Sequence, residues 1–124
     1  NNLKGDREMN NTLKDDDLEL LLQYETFLRQ RIIKLSIEKD ITEHALSLQL
    51  GKNGSYIRAI TNKIALPSVR ELFNIMIFFE ITPFEFFINL GSENELRTKL
   101  YEKIRKLPNE DLEKLSTFLS WFEK

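Results

Sequence analysis

The sequence predicts an all-α protein, and three observations carry that prediction. Apolar residues recur at spacings of three and four along most of the chain, the stripe of an amphipathic helix. Residues suited to capping (Thr42, Ser68, Thr82 and Ser92) stand just ahead of these stripes. The period-two alternation of a half-buried strand persists nowhere, and no internal repeat is evident.

Taken in order, Asn1–Asp17 is polar, with only Leu3, Met9 and Leu13 apolar. Such a segment cannot bury enough surface to offset its ordering entropy, so a flexible arm over residues 1–17 is expected. Its Asp15-Asp16-Asp17 triplet suits a helix start, where negative charge opposes the positive dipole end. From Leu18, the series Leu21, Tyr24, Leu28, Ile32 and Leu35 predicts a first long helix. Thr42 caps a second and Gly51 stops it. Asn53 caps a short third helix carrying Ile57 and Ile60. After Pro67, Ser68-Val69-Arg70-Glu71 has capping-box form for a fourth. Thr82-Pro83-Phe84-Glu85 repeats it, with proline at the first helical position where its missing N–H costs nothing. Ser92-Glu93-Asn94-Glu95 is a further box, opening a helix that ends near Pro108. Asn109 caps a last helix through Trp121. About six or seven helices result, divided into the arm 1–17, a domain 18–90 and a C-terminal helical pair 91–124.

The chain has 124 residues, 41% hydrophobic and 31% charged, enough for a core and too apolar for general disorder. It contains no cysteine, which excludes disulfides, thiolate metal sites and cysteine nucleophiles. No apolar run reaches membrane-spanning length and the arm lacks the apolar centre of a signal peptide, so a cytoplasmic protein without membrane contact is expected. No glycine-rich phosphate loop occurs. His44 is the sole histidine and no nucleophile or carboxylate motif accompanies it. The acidic triplet lacks the spacing of a calcium loop. An enzyme, a cofactor and a metal are therefore not expected.

Net charge is −2, from 18 basic and 20 acidic residues, and does not by itself invite nucleic acid. Locally the picture differs. From His44 to Arg70, 27 residues contain no Asp or Glu, while Lys52, Arg58, Lys63 and Arg70 contribute +4.

That window lies inside a longer pattern: Leu28, Ile32 and Leu35, then Ile41-Thr42, Leu46, Leu50-Gly51, Ser55-Tyr56-Ile57, Ile60, Asn62, Pro67-Ser68, Leu72, Ile75 and Phe86-Phe87. It resembles the phage-repressor-like (Cro/cI, xenobiotic-response-element) helix-turn-helix family. The resemblance implies a lambda-repressor-like five-helix bundle with a C-terminal helical extension. It also implies a DNA-binding transcriptional regulator acting on double-stranded DNA as a homodimer. Ser47 stands where the family has a small residue under the recognition helix, and Gly51 supplies the positive φ of the turn. Carried over position by position, Thr42, His44, Lys52, Asn53, Gly54, Ser55, Tyr56, Arg58, Ala59, Asn62, Lys63 and Arg70 form the DNA face. Lys52, Asn53, Arg58, Asn62, Lys63 and Arg70 would hold phosphates, and Ser55 and Arg58 would read bases. Gly54 and Ala59 occupy reading positions without a donor, although a methyl can meet a thymine methyl.

The chain departs from the family at several places, Gly54 and Ala59 among them. Glu43 replaces the usual phosphate-binding Gln after the cap, and its charge repels phosphate unless the side chain turns away. Ser36 and Thr61 replace an Arg–Glu pair, a joint loss that strands no charge. Lys63 replaces the usual glycine after Asn62.

Six of the nine Phe lie at 73, 78, 79, 84, 86 and 87. The family needs apolar groups at Leu72, Phe73, Ile75, Phe79, Ile81, Phe86 and Phe87, but has polar residues where Ile77 and Phe84 stand. Two sinks are open for this apolar surface: the stripes of the C-terminal pair (Leu96, Leu100, Ile104 and Leu107; Leu112, Leu115, Phe118, Leu119 and Phe122) or a second subunit. A protein partner through the Phe-rich and C-terminal helices belongs to a second reading. In it the scaffold is an interaction module, an antitoxin or anti-regulator, with weak or no DNA binding.

Overall fold

Caps and stops written into the sequence divide the described residues into seven helices. The computed structural model describes residues 14–90 and 94–123. Among them lie α1 (Asp15–Glu38), α2 (Glu43–Gln49), α3 (Tyr56–Thr61), α4 (Val69–Phe78), α5 (Pro83–Phe87), α6 (Glu95–Arg105) and α7 (Asn109–Ser120), and no strand. The protein is all-α. Two compact units divide at Phe87/Ile88, so α1–α5 form one and α6–α7 the other.

Three of the expected N-caps form, those of Thr42, Ser68 and Thr82. Thr42 Oγ1 accepts the Ala45 N–H at 3.0 Å. Ser68 and Glu71 make a reciprocal capping box, as do Thr82 and Glu85. Four starts differ from expectation, that of α3 among them, where Ser55 rather than Asn53 holds the cap position. The first helix begins at Asp15 and takes the acidic triplet into its first turn, so the arm boundary at 17 falls inside α1; the rest of the arm lies outside the described residues. Asn94 caps α6 by accepting the Arg97 N–H at 2.9 Å, while Ser92, expected to open that box, lies outside the described residues. Asn109 is the first residue of α7 rather than its cap, because Pro108 occupies the cap position.

Helix stops share one geometry. After α1, α2, α3 and α4 the next-but-one residue adopts positive φ: Asp40 (54°), Gly51 (76°), Lys63 (67°) and Glu80 (58°). In each, paired backbone bonds run back to the last turn; for α2 they are Lys52 N–H to Ser47 O and Gly51 N–H to Leu48 O, both 3.0 Å. Only one of the four is glycine, so three L-residues hold a conformation that sterically disfavours them.

The core of the first unit is Ile32, Leu35, Leu46, Ile57, Ile60, Ile75, Met76 and Phe86, all buried. Every helix from α1 to α5 contributes. Met76 joins it unforeseen. Phe73, expected inside, is 48% exposed on the far side of α4, and Leu21 and Tyr24 of the first stripe also face water. Ile77 and Phe84 are exposed too, in keeping with the polar positions they replace.

Two arginines of α1 tie the bundle by donating to backbone carbonyls of other segments. Arg29, only 9% exposed, donates from Nε to Ile60 O (2.8 Å) and from Nη2 to Ala65 O (3.3 Å), closing the end of α3. Arg31 donates to Glu85 O (2.9 Å) and Phe86 O (3.1 Å), closing α5. Ser36 turns back onto Ile32 O at 2.8 Å. The vacated Arg–Glu pair thus leaves no unpaired charge, and Arg29, seven residues earlier, anchors α1 to the end of α3.

In the second unit α6 and α7 carry their apolar stripes but contain no buried residue. An edge-to-face cluster of Phe118, Trp121 and Phe122 ends the pair.

Candidate functional site

The α2–turn–α3 unit is held from inside by one hydroxyl. Ser47, fully buried, donates from Oγ to Glu43 O (2.8 Å) and accepts the Ile57 N–H (2.9 Å). Ile57 is in the first turn of α3, where N–H groups lack partners within the helix. The cap of α3 therefore comes from α2 and fixes one helix against the other. Asn53, expected as that cap, instead accepts from Ser55 N–H (3.0 Å) and Ser55 Oγ (2.8 Å) within the turn. The hydroxyl proton of Ser55 is thereby spent, leaving it to act outward only as an acceptor.

Between the N-terminal ends of α2 and α3 lies an open cleft of about 620 Å³, lined by Thr42, Glu43, His44, Gly54, Ser55 and Arg58. A Cβ at Gly54 would meet the imidazole of His44, an exposed side chain that can swing aside. Glu43 has indeed turned away from solvent-borne anions. Thr61 Oγ1 donates to Glu43 Oε2 at 2.7 Å, and Arg58 Nε stands 3.5 Å from Glu43 Oε1.

A second network lies at the other side of the turn. Lys52 Nζ meets Glu71 Oε2 at 2.8 Å, Tyr56 Oη donates to Glu71 Oε1 at 2.9 Å, and the Ser68 N–H also donates to Oε1 at 3.0 Å. The hydrogen bond from Lys52, then those from Ser68 and Tyr56, hold the Glu71 carboxyl down at about 2. Burial, followed by the bond to Glu71, pushes the Tyr56 phenol well above its ordinary value.

Of the twelve residues expected on one face, Thr42, His44, Gly54, Ser55 and Arg58 come together in the cleft. Lys52 and Tyr56 are drawn into the Glu71 network. Ala59 is half-buried, while Asn62 and Lys63 are exposed at the end of α3. Arg70 sits on α4 in a shallow groove with Val69, Phe73 and Asn74. Lys63 and Arg70 have no ion pair among the described residues.

The acid-free window is thus not acid-free in space. Glu43 and Glu71 are its immediate neighbours in sequence, and each folds back onto one of its cations. A count of charges within the window misses both, and only their positions at its two ends hinted at the outcome. Among the described residues no cluster of His, Asp and Glu fits a metal, and no helix is long and apolar enough to cross a membrane.

Comparison of the chain with protein-family models, with curated proteins and with solved structures finds no match.

Proposed function

We propose that the chain is a DNA-binding transcriptional regulator of the cytoplasm, using α2 and α3 as a helix-turn-helix within a lambda-repressor-like bundle of α1–α5. The observation that carries this reading is the α2–turn–α3 unit, with Gly51 at positive φ, Ser47 locking the crossing, and an open cleft between the two helix starts that holds Arg58. The first turn of α3 enters the major groove, and Lys63 and Arg70 meet phosphates on either side. Lys52 and Arg58 enter with their charge partly offset, so the electrostatic contribution per subunit is small.

A second copy then becomes important. Leu96, Leu100, Ile104, Phe118, Leu119, Trp121 and Phe122 stand 38–72% exposed on the second unit. At on the order of 100 Å² each, they approach the roughly 800 Å² per partner of a standard interface. Residues 95–106 carry five cations against two acids, and residues 109–123 four acids against one cation. Two such pairs meeting place opposite charge side by side, so a homodimer through the C-terminal helices is the assembly proposed.

The test is anisotropy of a labelled random-sequence duplex titrated with the full chain at low and moderate salt. Binding in the micromolar range or tighter is expected, weakened by Arg58→Ala with Lys63→Ala. The log–log salt slope should fall by about one for each phosphate-binding cation removed. No binding at low salt promotes the second reading, an interaction module of antitoxin or anti-regulator type, which the Glu43–Arg58 and Lys52–Glu71 pairs favour. Light scattering at micromolar protein tests the dimer, and a strict monomer removes it.

A further inference from the structure

We infer that Glu43 is a specificity-determining residue of the DNA-reading cleft: anchored on Thr61, its carboxylate forms an ion pair on the Nε side of Arg58 and leaves the terminal guanidinium nitrogens to read a guanine. The inference rests on the DNA-binding reading above and deepens it.

The two oxygens of Glu43 have separate tasks. Oε2 accepts the Thr61 hydroxyl at 2.7 Å, which fixes the carboxylate against α3, and Oε1 then faces Arg58 Nε at 3.5 Å. Arg58 and Thr61 are three residues apart on α3, so one carboxylate from α2 spans both. The Glu43 side chain is 29% exposed and that of Arg58 68%, so the acid lies at the root and the guanidinium reaches into the open cleft. A guanidinium is planar with five N–H donors. The carboxylate stands on the Nε side at ion-pair distance, which leaves Nη1 and Nη2 for the O6 and N7 acceptors of guanine, the bidentate match of the major groove. The two cleft residues just ahead of α3 do not compete for that base: Gly54 has no side chain, and the Ser55 hydroxyl proton is committed to Asn53.

The physical consequence is a trade. A held arginine loses less rotamer freedom on reading a base, but its partner's negative charge subtracts from the attraction of the phosphate backbone. Removing Glu43 should therefore raise affinity for arbitrary DNA while lowering discrimination at one base pair. An acid that merely repelled phosphate would raise affinity and leave discrimination intact. One that merely supported α2 would lower affinity for all duplexes together with the melting temperature.

The full chain, wild type and E43A, T61V and R58A variants, is used to select from a randomised duplex library. Affinities are then measured on the selected duplex and on its counterpart with the critical G·C pair changed to A·T. The wild type is expected to prefer the G·C duplex roughly 5- to 100-fold. R58A should abolish the preference, and E43A and T61V should lose most of it, with E43A binding the A·T duplex more tightly than wild type does. T61V removes the anchor without altering charge, so it carries the test should E43A melt early. If E43A and T61V both keep the wild-type ratio, or R58A leaves the preference standing, the inference falls and the regulator reading survives. If the wild type enriches no sequence and binds no duplex, the regulator reading itself falls.

Discussion

The unit ending at Phe87 and the unit beginning at Ile88 are both built from amphipathic helices, yet they meet opposite ends. In α1–α5, stripes converge on eight buried hydrophobics and every helix contributes to one core. In α6 and α7, stripes of comparable regularity leave no residue buried. A helical period says which face of a helix is apolar. Whether that face is covered depends on how many other faces the chain brings to it.

The first unit adds a device the second lacks. Its buried polar groups, Arg29, Ser36 and Ser47, each find a backbone carbonyl or N–H, so burial leaves no bond unmade. Both ends of α3 are closed in this way, one by Ser47 of α2 and the other by Arg29 of α1. A six-residue helix would not persist alone in water. Here tertiary hydrogen bonds supply what length does not.

Substitutions can sharpen the contrast. The largest effect is expected for Phe86→Ala, which empties the largest fully buried side chain and should cost about 3–5 kcal/mol in denaturant unfolding. Arg29→Met keeps the aliphatic stem but removes the charge-assisted bonds to Ile60 O and Ala65 O, with an expected loss of about 2–3 kcal/mol by the same measurement. Glu71→Gln acts through pH. The Glu71 carboxyl lies at about 2 against an ordinary 4.5, so its stabilisation is present above pH 4.5 and disappears as pH falls toward 2. The wild type should lose stability faster than Glu71→Gln across that window, followed by circular dichroism. Glu80→Gly relieves a positive φ and should stabilise by about 0.5–1 kcal/mol, since the glycine's greater freedom when unfolded offsets part of the relief. In the second unit, Trp121→Ala should move the unfolding midpoint by less than about 0.5 kcal/mol in dilute solution while weakening self-association in light scattering. A large loss in dilute solution would show that α7 is already covered within one chain, and the contrast would disappear.

Much of the candidate site was legible at the level of single residues. Positive φ at Gly51 and the capping boxes of Ser68 and Thr82 follow from local geometry, which neighbouring residues dictate, whereas the small residue at Ser47 answers to the packing of α3 and was legible only through the family resemblance. Pairings across the chain were not legible. Lys52, Arg58, Lys63 and Arg70 look alike in an acid-free stretch, yet the fold returns Glu71 to Lys52 and Glu43 to Arg58, leaving Lys63 and Arg70 without ion pairs among the described residues. Tyr56 likewise reads as part of an exposed face until Glu71 takes its hydroxyl.

What the sequence determined by itself is therefore the helical class, the order of the elements and most of their ends, because periodicity, caps and glycine act over a few residues. What only the tertiary structure decided is which charges remain free and which apolar stripes are covered. Coulombic pairing and burial depend on distances between residues far apart in the chain, and those distances exist only once α2, α3 and α4 have packed.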